Sequence, residues 1–248
     1  MCSRMRAEPG ERVGVIFCMW RTIWKHELRV PLLTLTAAST VAFALIVARV
    51  LLSGRPSHLY LVWNLILAWV PVVLALHIEE LERRTGGNRW RFRATVFAWL
   101  LFFPNAPYIF TDLSHLTRTT QTRWWTDLIL ILLFAVIGLV LAFISLYRMQ
   151  RIVARRRGWL AGWVFVATVA FISGFGVYLG RFERWNSWDV VASPAGLLAD
   201  SFNWMHRHSF KFTLLFGTFL STAYALLYSL TLLGSAPRIP ALPRGEGT

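Results

Sequence analysis

Six apolar runs, each about as long as a bilayer is thick, dominate the 248 residues of this chain. A membrane span needs about 20 mostly apolar residues to cover roughly 30 Å of hydrocarbon. Residues 30–48, 59–78, 128–147, 159–180 and 212–234 contain no Asp, Glu, Lys or Arg. The remaining run, 94–110, is shorter and contains Pro104 and Pro107. Proline removes a backbone donor and clashes with the preceding turn, so this third helix is expected to break near its end. The expected fold is all-α, a polytopic membrane bundle of about six transmembrane helices.

The basic residues are sorted to one side. Of the 26 Lys and Arg, 18 lie before the first run, in the second and fourth connections and in the tail. The eight on the other side are Arg49, Arg55, Arg118, Arg123, Arg181, Arg184, Arg207 and Lys211. The positive-inside rule then puts both termini in the cytoplasm. The net charge of +14 follows from basic loops that hold topology and meet anionic headgroups, so membrane lipids are the expected partners. Nucleic acid is not an expected partner, because the charge forms no single soluble basic domain. Cys2 and Cys18 fall on the expected cytoplasmic side and are expected as reduced thiols.

Residues 30–234 form one expected transmembrane domain. Residues 1–29 place Val13, Ile16, Phe17, Trp20 and Trp24 at helical spacing against Arg12, Arg21 and Lys25. That pattern predicts an amphipathic helix lying in the cytoplasmic interface. The segment lacks the apolar stretch and cleavage site of a secretory signal, so the first span is the expected insertion signal. Residues 235–248 are rich in Pro and Gly and are expected to be a disordered cytoplasmic tail. Ser193-Pro194 before Leu197, Leu198, Phe202 and Met205 predicts a short amphipathic helix in the fifth connection. Many of the 13 tryptophans, among them Trp63, Trp124, Trp159 and Trp185, sit near run ends, as an aromatic belt requires. Gly158 with Gly162, and Gly176 with Gly180, have the spacing that lets helices approach closely.

Two polar motifs fall on the expected outer face. One runs Phe102-Phe103-Pro104-Asn105-Ala106-Pro107-Tyr108 into Thr111-Asp112-Leu113-Ser114-His115. The other runs Gly180-Arg181-Phe182-Glu183-Arg184-Trp185-Asn186-Ser187-Trp188-Asp189. Asn64, early in the second run, lies at the same level. In combination these motifs resemble an uncharacterised bacterial membrane family, domain of unknown function 1361, over about residues 40–232. The resemblance implies an integral membrane protein of several helices with no established activity, and it brings no catalytic residues. Together with the charge pattern, it makes a bacterial inner membrane the expected location.

The residues themselves suggest chemistry. Non-helical backbone at membrane depth must be buried in protein or line a wet cavity, and Asn105 is placed to bond the groups that the two prolines free. A ligand pocket built on the break, with Asn64, Asn105 and Tyr108, is the sharper alternative. Asp112 and His115 are three apart and share a helix face. They suit an acid/base couple, a structural hydrogen-bonded pair, or two ligands of a divalent metal. A catalytic metal wants a third ligand, for which Asp189, Glu183, His206 and His208 are candidates. Arg181 and Arg184, beside Asn186 and Asp189, suit either a salt-bridged cap or a clamp for a phosphate or carboxylate.

Three functions compete on this reading. One is an enzyme or binding site acting outward on a lipid or envelope component. Another is a non-catalytic subunit or assembly factor that grips a membrane-protein partner. The third is a small-solute transporter, disfavoured because the span centres are almost free of charge.

Overall fold

A computed structural model describes residues 26–54, 58–83, 89–118, 121–183 and 207–233. Every element among them is helical: α1 (His26–Ser53), α2 (Leu59–Arg83), α3 (Arg89–Phe102), α4 (Asn105–Tyr108), a 3-10 helix (Ile109–Arg118), α5 (Gln121–Arg157), α6 (Trp159–Phe182) and α7 (Arg207–Leu233). Six helical stretches among the described residues are long and apolar enough to cross a membrane, the third formed by residues of α3, α4 and the 3-10 helix together. The chain is a multi-pass membrane protein. The expected amphipathic segment before His26, the helix after Ser193-Pro194 and the tail lie outside the described residues.

The side chains fit a lipid solvent. Leu33, Phe43, Ile66, Phe97, Ile129, Leu160 and Leu215 are all exposed, on faces where lipid tails are as apolar as the side chains themselves. The interior holds Ile46, Leu61, Trp99, Phe103, Ile109, Phe134 and Leu141, all fully buried. Because lipid offers helices no hydrophobic drive to associate, packing and interhelical hydrogen bonds must hold them. One such tie joins three helices. The Trp99 indole N–H of α3 donates to Ser145 Oγ of α5 at 2.7 Å, and Ser145 Oγ donates to the Pro71 carbonyl of α2 at 3.0 Å.

The helices outrun the apolar runs. α5 is 37 residues long and carries Arg148 through Arg157, which charge patterning assigns to a connection, as continuous helix. The reason is pairing with α2. Arg148 Nη1 meets Glu79 Oε2 at 2.8 Å, while Arg155 and Arg156 each meet Glu82 at 3.0 Å. Arg83 also meets Glu79, at 2.5 Å. Several of the basic residues on this side therefore also serve as partners for glutamates.

The glycines divide by role. Gly162 and Gly176 permit close approach: added Cβ atoms would stand 3.1 Å from Ala154 Cβ and 3.0 Å from Pro104 Cγ. Gly158 acts otherwise. It is the single residue between α5 and α6, at φ 92° and ψ 164°, a region that only glycine occupies readily. A Cβ there would meet nothing within 4 Å. Gly158→Ala should therefore cost about 1–3 kcal/mol through backbone strain alone. Thermal unfolding in detergent reads this out, and an unchanged midpoint would contradict it.

Candidate functional site

The site begins with the end of α3. The α-helical pattern stops at Phe102 and resumes at Asn105. Pro104 has no N–H for the carbonyl four residues back, nor has Pro107. Shorter bonds take over: Ala106 N–H donates to Phe103 O at 3.2 Å, and Asn105 Nδ2 donates to Phe102 O at 3.0 Å. Asn105 thus bonds a carbonyl at the break. The irregular backbone is enclosed by protein, with Phe103, Ala106 and Ile109 fully buried. Pro104 packs on Gly176 of α6, Ala106 and Ile109 pack on Gly138 of α5, and Phe110 stacks on Phe219 of α7 with ring centroids 4.6 Å apart.

This seating delivers Asp112 to a meeting point of helices. Asn64 Nδ2 of α2 donates to Asp112 Oδ2 at 2.9 Å, and Arg181 Nη1 of α6 donates to Asp112 Oδ1 at 2.9 Å. The other arm of the Arg181 fork donates to Ser114 Oγ. The guanidinium carbon lies 6.0 Å from the Tyr108 ring centroid, within cation–π range. Asp112 is 1% exposed, while the Arg181 side chain keeps 16%. Arginine's planar fork suits this two-point grip.

A second pair stands at the same end of the bundle. Arg49 Nη2, near the end of α1, lies 2.5 Å from Asp127 Oδ1, near the start of α5, and the Asp127 side chain is also 1% exposed. Tyr60, at the start of α2, is within electrostatic reach of Asp112, Arg181, Asp127 and Tyr108. Two carboxylates, two guanidiniums and two phenols from α1, α2, α4, the 3-10 helix, α5 and α6 therefore share one region.

Of the residues that sequence reasoning nominates, the structure brings together Asn64, Tyr108, Asp112 and Arg181. Asn105 serves the backbone of the break. His115 lies on the same 3-10 helix as Asp112, but its side chain lies outside the description. Arg184, Asn186, Asp189 and His206 fall outside the described residues. Each Asp112 oxygen accepts a bond from a donor, and among the described residues no three His, Cys, Asp or Glu side chains gather as a metal group. Sequence reasoning missed Ser114, Arg49, Asp127 and Tyr60. A lone arginine ending one run and a lone aspartate beginning another, both on the charge-poor side, were the available signal.

The opposite end carries its own buried polar cluster. Glu79, Glu80, Arg148 and Gln150 are all buried, and the Tyr224 hydroxyl of α7 donates to Gln150 Oε1. These contacts tie α2, α5 and α7 together.

No curated protein and no solved structure matches the chain. A family model does match, over residues 63–223, a stretch that covers well over half of the chain and encloses Asn64, Asp112, Ser114, Asp127 and Arg181. The chain therefore belongs to the family described as Protein of unknown function (DUF1361).

Proposed function

We propose that this protein sits in a bacterial inner membrane with both termini in the cytoplasm, and that its Asp112 end faces outward and binds the anionic headgroup of a lipid or envelope component. The observation that carries the reading is the convergence of Asn64 and Arg181, from separate helices, on a buried Asp112. A carboxylate so held fixes a guanidinium at the membrane boundary, and the N–H groups that Asp112 and Ser114 leave over suit the oxygens of a phosphate. The distribution of Lys and Arg supports the orientation, since 18 of the 26 lie on the side of the opposite end.

Native mass spectrometry of the protein released from membranes in mild detergent tests this reading. Wild type should retain phospholipid. The Asp112→Asn/Arg181→Gln double variant removes both charges together and leaves polar side chains in their place, and should lower that retention by on the order of tenfold or more. Equal retention by a variant with an unchanged unfolding midpoint would sink the reading.

A further inference from the structure

We infer that the outward site reads a zwitterion, the phosphoethanolamine headgroup of a phospholipid, by exchanging the Arg49–Asp127 ion pair for the two charges of the ligand. This rests on the lipid-binding reading above and names its headgroup.

The two acid–arginine pairs differ in how well they are satisfied. Asp112 accepts from both Asn64 and Arg181. Asp127 is equally buried, yet among the described residues neither of its oxygens accepts a hydrogen bond, and the Arg49 Nε–H likewise finds no acceptor. Arg49 Nη2 stands 2.5 Å from Asp127 Oδ1, but the contact lacks hydrogen-bond geometry. Buried acceptors without a donor are rare in folded proteins and call for an explanation. The Arg49 side chain keeps 18% exposure and Asp127 only 1%, so Arg49 is the member of the pair that a ligand reaches first and Asp127 the acceptor behind it.

Charge balance then selects the ligand. A phosphate that draws Arg49 away would leave Asp127 as an uncompensated buried charge, which is strongly disfavoured. A purely anionic headgroup brings nothing to replace it. Phosphoethanolamine does: its phosphate takes Arg49, beside Arg181, and its ammonium takes the vacated place at Asp127. The net charge of the site is unchanged, and every charge in it has an opposite partner. A primary ammonium carries three N–H donors, and Asp127 has two oxygens that lack one. A choline headgroup has the same charges and no N–H, so it should be rejected with the anions.

The test is a competition on the full chain in detergent, read by native mass spectrometry, with dioleoyl phosphatidylethanolamine, phosphatidylglycerol and phosphatidylcholine as probes. In wild type, phosphatidylethanolamine should be retained on the order of tenfold better than either other lipid. Asp127→Asn should bring it down to the level of phosphatidylglycerol, and Asp127→Glu should recover part of the preference. Should Asp127→Asn fail to fold with Arg49 stranded, the Arg49→Gln/Asp127→Asn double variant carries no stranded charge and should show the same loss of preference. Equal retention of the three lipids by wild type, or a preference that survives both variants, overturns the inference. Equal retention that still depends on Arg181 leaves the lipid-binding reading standing, whereas no dependence on Arg181 ends both. Free phosphoethanolamine that displaces the lipid at matched concentration would reassign the zwitterion to a soluble source and overturn the lipid assignment.

Discussion

Gly138→Ala should lower the unfolding midpoint of the detergent-purified protein by on the order of 10 °C, the loss expected from about 3 kcal/mol of overpacking. A Cβ on Gly138 would stand 2.6 Å from the Ala106 carbonyl oxygen and 3.2 Å from Ile109 Cδ1. The first of these neighbours is backbone and cannot rotate aside. Nor can its segment back away freely, because Pro104 rests on Gly176 and Asp112 is tied to Asn64 and Arg181. The strain should therefore reach the site, and phospholipid retention should fall along with the midpoint. A Gly138→Ala protein that melts with wild type and holds lipid normally would show that the broken segment does not seat on α5.

Glu79→Leu should cost about 3–5 kcal/mol, because it strands Arg148 in the interior without its carboxylate. The Glu79 and Arg148 side chains are 7% and 9% exposed, and their contact is 2.8 Å. Adding Arg148→Met should recover most of the loss, since replacing both members of a buried pair with apolar groups is often close to neutral. The comparison of single and double variants by thermal unfolding decides between two explanations. If Arg148→Met fails to rescue, the glutamate acts through Arg83, which it also meets, or through helix packing. Full rescue would identify the pair as the tie between α2 and α5.

Much of this architecture is legible in the chain. The apolar runs locate the six helical stretches among the described residues that are long and apolar enough to cross, because lipid leaves a spanning segment few other ways to satisfy its backbone. Asn64, Asp112 and Arg181 were picked out as polar residues at one membrane level, and they meet. The paired prolines announced trouble at Pro104, and α3 stops at Phe102. What escaped was pairing across helices. Arg148 reaches Glu79 across 69 positions, and Arg49 reaches Asp127 across a similar gap. Such contacts depend on how each helix is rotated about its axis. Apolar spacing usually reports that rotation, but a face turned to lipid is as apolar as one turned inward. The helical far end of α5 is hidden in the sequence for a related reason. A run of arginines looks like a headgroup-facing loop until the glutamates of α2 are known to stand beside it.

The one-residue link at Gly158 bears on how the chain is made. Helices of 37 and 24 residues separated by a single residue cannot thread the bilayer as two independent events. We expect α5 and α6 to enter the membrane together as a hairpin with Gly158 at its tip. A reporter domain inserted there would pry the arms apart, so fusion mapping of the topology should use the other connections.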